Sequence, residues 1–184
     1  MRTKAQFLRE WMQSVSDLDA SKSWAEEAEG KDFKGAPLFF IFVDMDFFAL
    51  LSPVGWTPKA YKRKAITVPR GFVTDFASVP RLFWSIFPPI GRYGYAALFH
   101  DYVYWQQIGT RNEADLVFRD TMDELEVPAW KRAVLFWAVR LFGFIAWRQN
   151  AALKANGEKR ILTAFPSDLR TSWSSWKQDP KVFE

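Results

Sequence analysis

The stretch that most limits what this chain can fold into is "AWKRAVLFWAVRLFGFIAW", which opens a helical pattern running from 129 to about 149. Apolar side chains cover nearly its whole circumference. Arg140 sits in the middle, between two apolar runs of seven residues. A helix that is apolar all round is enclosed by protein or by lipid. A bilayer span needs about twenty mainly apolar residues, and a central arginine adds about 3 kcal/mol of insertion cost. The pattern predicts a buried central helix. The sharper alternative is an interfacial helix lying on a membrane or a partner.

Two shorter helical patterns precede it, at 95–107 and 112–125, separated by the breaker "IGTR". "VP" at 127–128 ends the second, and Pro128 stands at the first turn of the third. Upstream the periodicity changes. "LFFIFVDMDFFALL" (38–51) is bounded by Pro37 and Pro53, and "AITVPRGFVTDFA" (65–77) has a turn at Pro69–Gly71. Both read as strands. The predicted fold is α+β: a small antiparallel sheet followed by a helical core that contains an antiparallel helix hairpin. Residues 1–30, with Phe7, Leu8, Trp11, Met12, Val15 and Leu18 at helical spacing, read as a helical N-terminal extension. Residues 31–150 read as one core domain. Residues 151–184 read as a C-terminal extension that wraps back or docks on a partner.

Composition narrows the chemistry. There is no cysteine, which excludes disulfides, thiolate zinc sites and cysteine nucleophiles. A single histidine excludes zinc hydrolases of the HExxH kind and phosphohydrolases built on several histidines. The net charge of +4 favours anionic surfaces such as phospholipid headgroups. The one basic cluster, "KAYKRK" at 59–64, reads as a solvated loop, so nucleic acid is not an expected partner. The N-terminus "MRTKAQFLREWMQS" lacks the apolar core of a secretory signal.

The lone histidine, His100, lies in "AALFHDYVYWQQ". Tyr104 is one turn on, on the same helical face. If the first two helices form a hairpin about residues 108–109, Asp115 falls opposite residue 102, between His100 and Tyr104. A carboxylate there holds one imidazole nitrogen and accepts from the tyrosine. The other nitrogen is left as a base. Asp101 points about 100 degrees away around the helix, where it can ligate a cation.

"HDYVY" followed by "EADLVF" resembles the His-Asp-x-x-Tyr…Asp constellation of the phospholipase A2-like superfamily. The resemblance implies a phospholipase A2-like ester hydrolase. His100 would be the base that activates water, Asp115 its orienter and Tyr104 the support of Asp115. Asp101 would be a calcium (Ca2+) ligand. The nearest counterpart of that superfamily's glycine-rich calcium loop is "PPIGRYGY" (88–95).

A longer stretch, "VPRGFVTDFASVPRLFWSIFPP" through "HDYVY" and on to "AVRLFGFIAW", resembles an uncharacterised family of phage and prophage proteins, domain of unknown function 1353. It covers about 66–147. This resemblance implies a viral or prophage origin and carries no activity of its own. It sets a second functional expectation beside the hydrolase: a non-enzymatic virion protein, tail- or capsid-associated, made in the host cytoplasm. Its partners would be other virion proteins. A third expectation is an interfacial protein on a phospholipid surface, and self-association stays open. The same stretch draws in Asp75 as a further metal ligand or a partner of Arg81 or Arg92, and Ser78 as a nucleophile with His100 as base. Against that, Thr74, Asp75 and Ser78 also suit turn and helix capping.

Overall fold

The structure is a computed structural model that describes residues 33–34, 38–44, 47–58, 63–76 and 92–184. The expected N-terminal helix at 1–30 lies outside the described residues. So do Ser78, Arg81 and residues 88–91 of the proposed calcium loop, and nothing is described of the Arg92 side chain.

The fold is α+β. Its strands are β1 (Phe33–Lys34), β2 (Phe39–Ile41), β3 (Phe48–Leu50), β4 (Val54–Trp56), β5 (Ile66–Val68) and β6 (Val73–Thr74). They make two three-stranded antiparallel sheets instead of one, ordered β1-β4-β5 and β2-β3-β6. The chain crosses from one sheet to the other at Leu51–Pro53 and again at Pro69–Gly71. Paired hydrogen bonds hold this corner. The Leu50 amide donates to Phe72 (2.9 Å), and the Gly71 amide donates to Leu50 (2.7 Å). Gly71 has φ +88°, where side chains are strained. A β-carbon there would meet the Leu162 carbonyl oxygen at 2.0 Å.

The dense run of phenylalanines at 39–48 is explained by burial on both sheet faces. Side chains alternate along a strand. Phe48 and Leu50 face the main core with Val54, Trp56, Phe72, Phe76 and the helices. Phe40, Phe42, Ala49 and Val73 face a second cluster with Leu162, Trp173 and Val182. The C-terminal chain supplies that second layer. Isolated bridges join Phe72 to Ile161 and Leu162 to Phe183. Asp44 accepts from the Trp173 and Ser174 amides (3.0 and 3.4 Å) at the start of a short helix, Trp173–Trp176. The tail therefore wraps back on its own chain.

Three helices form the other half: α1 (Arg92–Gln106), α2 (Arg111–Glu124) and α3 (Ala129–Ala155). Gln107 (φ 57°) and Gly109 (φ 69°) end α1 in left-handed conformations. Thr110 then opens α2 through a capping box with Glu113, each side chain satisfying the other's backbone amide. Gly94, counted above in the calcium-loop candidate, is inside α1.

The expectation of a buried central third helix is corrected by the structure. Only Leu135, Ala138 and Val139 of α3 are buried. Trp130, Trp137, Leu141, Phe142, Phe144 and Ile145 are exposed. The helix lies on the outside of the α1–α2 pair and uses one face for it; among the described residues none covers the opposite apolar face. No described helix is long and apolar enough to cross a membrane.

Gly71→Ala is expected to lower stability by about 1–3 kcal/mol, the cost of a non-glycine residue forced to this φ. Urea unfolding of both proteins checks it. An unchanged midpoint would mean that the Leu162 strand segment is not docked at this corner.

Candidate functional site

Asp115 is the centre of a polar cluster shared by all three helices. It is fully buried on α2. Its Oδ1 accepts a hydrogen bond from the Tyr104 hydroxyl of α1. The same oxygen lies 3.5 Å from His100 Nε2. Its Oδ2 accepts from Arg140 Nη1 of α3 at 2.8 Å and from Arg111 Nη1 at 3.3 Å. Arg111 also donates to the Arg140 carbonyl at 3.0 Å. The hairpin therefore brings together His100, Tyr104 and Asp115.

Two residues of this cluster were not singled out from the sequence as parts of the site. Arg111 stands four residues before Asp115, a spacing that pairs charges on a helix. Arg140 was weighed only as a membrane cost, yet a lone cation in an apolar helix is itself a sign of a buried acid on a neighbour. Gly143 is a third. A β-carbon there would come within 2.5 Å of the Tyr104 hydroxyl oxygen, so glycine lets α3 approach the cluster.

The imidazole is 1% exposed. Its ring stacks against Tyr104 with centroids 4.0 Å apart, and Phe118 packs at 5.1 Å. Nδ1 points to the Asp101 side, 4.0 Å from Oδ1. Burial lowers the imidazole pKa, but hydrogen bonding and charge from Asp101 and Asp115 outweigh it and raise the pKa above 6.5. Burial likewise raises the Asp115 carboxyl, yet His100, Tyr104 and Arg140 overcome that and lower it. Tyr104 is pushed up by burial and by the Asp115 carboxylate it serves. The resulting state is ionised Asp115 with neutral Tyr104 as donor.

Asp101 reaches across to the sheet. Its Oδ2 accepts from the Thr74 hydroxyl of β6. Thr74 Oγ1 also accepts from the Phe76 amide at 3.1 Å, which is the turn-capping role foreseen for this segment. Phe76 has φ 49°, strained for an aromatic residue. It is held there by packing at 5.3 Å against both Phe39 and Phe48. The strained residue directly follows Asp75, and Asp75 lines the same cavity as Asp101.

That cavity has a volume of about 250 Å³. His100, Asp101, Tyr104 and Asp75 line it with Arg160 and Asn150. Arg160 is nearly buried. Its guanidinium lies over the Trp105 ring at 4.6 Å and approaches Glu158 at 3.4 Å. Phe142, Gly143 and Ala146 of α3 form the apolar wall. The floor is therefore titratable and the roof is greasy. Calcium takes about six to eight oxygen ligands. Asp75 and Asp101 are the two acids of the wall, and Asp101 already commits one oxygen to Thr74. Among the described residues no three His, Cys, Asp or Glu side chains gather around one point. The described residues of this wall do not by themselves make up a calcium site, and no step below is routed through a cation.

The model of a family described as a protein of unknown function, DUF1353, matches residues 48–139, from β3 into α3. The chain belongs to this family. The matched residues contain His100, Asp101, Tyr104 and Asp115. An uncharacterized protein, y4jT, of Sinorhizobium fredii (strain NBRC 101917 / NGR234) is 37% identical over 78 residues. That alignment covers 41% of this chain and 23% of the relative, so the chain matches less than a quarter of that protein's length. No solved structure matches. Arg140, Gly143 and Arg160 lie beyond the residues that the DUF1353 model matches.

Asp115→Asn is expected to cost about 3 kcal/mol, the lower end for breaking a buried pair, because both guanidinia are partly exposed. Thermal unfolding checks it; a loss under 1 kcal/mol would show the cluster to be incidental. The single histidine gives one set of imidazole signals by NMR, and its titration midpoint is expected above 6.5. With a folded pKa above the unfolded one, the stability from this histidine is fully present below pH 6.5. It is lost as pH rises through the folded value. The stability gap between the wild type and His100→Gln should therefore narrow towards alkaline pH.

Proposed function

We propose that the cavity is a hydrolytic site of the phospholipase A2-like kind, in which His100 acts as a general base on water. What carries the reading is the placement of the only imidazole. It is backed by a buried carboxylate at Nε2 and lies at the wall of an apolar-roofed cavity. Such backing keeps the proton on Nε2 and presents Nδ1 as the base. A 3.5 Å contact is long for a hydrogen bond, but catalytic contacts commonly tighten only when substrate is bound.

The chemistry balances without a covalent intermediate. Water loses a proton to Nδ1 as its oxygen bonds to the ester carbonyl carbon. The carbonyl oxygen takes the developing negative charge, and Arg160, Gln149 and Asn150 of the cavity lining carry donors for it. The bond to the alcohol oxygen breaks, and the proton passes from the imidazolium to that leaving oxygen. Asp115 stabilises the imidazolium in between, and Tyr104, Arg111 and Arg140 hold Asp115 in place. Ser78 as an alternative nucleophile lies outside the described residues and has no part in this scheme.

A second reading is favoured by one specific observation: both oxygens of Asp115 are saturated by groups from three helices. A cluster so complete can serve as a lock on the fold. It then suits a non-enzymatic protein, such as a virion component built into a tail or capsid. Activity separates the two. Purified protein is given a soluble short-chain ester and phospholipid, with and without chelator. The hydrolase reading expects fatty-acid release that rises with pH through the His100 midpoint. It also expects His100→Gln to lose it by about a hundredfold or more while staying folded. Folded wild-type protein with no ester hydrolysis in any arm rejects the hydrolase and leaves the lock.

A further inference from the structure

The outward face of α3 serves neither the core nor the cavity floor. Trp130, Trp137, Leu141, Phe144 and Ile145 follow one another by seven, four, three and one residues, which keeps them on one side of the helix. Trp137 and Leu141 are each 60% exposed. Such a stripe is far larger than the isolated apolar residues normal on a protein surface. Its charge is equally one-sided. Over Ala129–Ala155 the helix carries Lys131, Arg132, Arg140, Arg148 and Lys154 and no aspartate or glutamate. Arg132 and Arg140 are matched by Asp123 and Asp115 of α2. Arg148 stands in line with the apolar stripe, four residues beyond Phe144, and Lys131 lies 5.4 Å over the Trp130 ring.

We propose that this face docks the protein on an anionic phospholipid surface, with the helix axis parallel to the membrane plane. Three observations select lipid over other occupants. Aromatic and aliphatic side chains with cations among them are the pattern of an interfacial helix. The helix itself carries five cations and no carboxylate, so a symmetric pairing of two α3 faces would bring like charges together, whereas lipid phosphates would neutralise them. The face is also continuous with the cavity. Phe142 is 61% exposed, and it lines the cavity with His100. A chain drawn out of the bilayer would pass this side chain to reach the imidazole. This last point rests on the hydrolase reading above; the docking itself does not.

The test uses sedimentation of the full chain with vesicles of phosphatidylcholine alone and of phosphatidylcholine mixed equally with phosphatidylglycerol. The expected result is binding to the mixed vesicles, weaker binding to the neutral ones, and weakening by salt. The double variant Trp137→Glu with Leu141→Glu removes two exposed side chains from the stripe and should keep its melting temperature. It should lose mixed-vesicle binding by about tenfold or more, while hydrolysis of a soluble ester stays as in the wild type. His100→Gln should bind vesicles as the wild type does, so a failed hydrolase reading leaves the docking result standing. Absence of wild-type binding to mixed vesicles overturns the proposal, as does undiminished binding by the double variant. A wild-type dimer that becomes monomeric in the double variant, without vesicle binding, assigns the face to a second copy.

Discussion

The helical half of this protein depends on one buried carboxylate. Asp115 is out of contact with water, and an ionised carboxylate in that position is very costly unless surrounded by donors. Tyr104 and His100 of α1, Arg111 of its own helix and Arg140 of α3 all converge on it. Because the donors come from three helices, satisfying the charge and assembling the helices are one event. A packing shift in any helix would strand the charge. Gly143 shows how tight the fit is: a single methyl there would collide with the Tyr104 hydroxyl.

The same carboxylate sets the chemistry of the histidine. Burial alone would drive an imidazole towards its neutral form, but Asp101 and Asp115 on either side reverse the direction. A buried base with a raised pKa, fixed in one ring orientation, is suited to accept a proton and give it back. The sheets contribute from below. Thr74 anchors Asp101, and the strained turn at Phe76 carries Asp75 to the cavity wall. The double aromatic layer on β2 and β3 supplies the stiffness that holds this turn. Its outer half comes from the C-terminal chain through Trp173 and Val182.

Much of this was legible beforehand because it is local. Three helices with breakers at 108–110 and 127–128, and strands punctuated by proline and glycine, follow from periodicity and turn chemistry within short windows. A hairpin between consecutive helices has few geometries, so the convergence of residues 100, 104 and 115 could be reasoned from spacing. Arg140 and Arg160 could not be placed in the same way. They reach the site from distant parts of the chain, and no spacing rule connects residues 25 or more positions apart. The two-sheet arrangement was equally hidden, since β3 runs into β4 and β5 into β6 with only a short corner between them.

The α3 helix draws the boundary. The sequence by itself determined that a long, apolar, carboxylate-free helix with one central cation would exist. It also determined that one histidine, an adjacent aspartate and a tyrosine one turn on would share a helix. These are properties of backbone periodicity and of charge in an apolar setting, and they hold wherever the segment lies. Only the tertiary structure decided which face of α3 would be covered. That depends on how much apolar surface the rest of the chain can offer. The α1–α2 pair offers enough for one stripe around Leu135 and Val139, and the opposite stripe, with its tryptophans, remains at the surface.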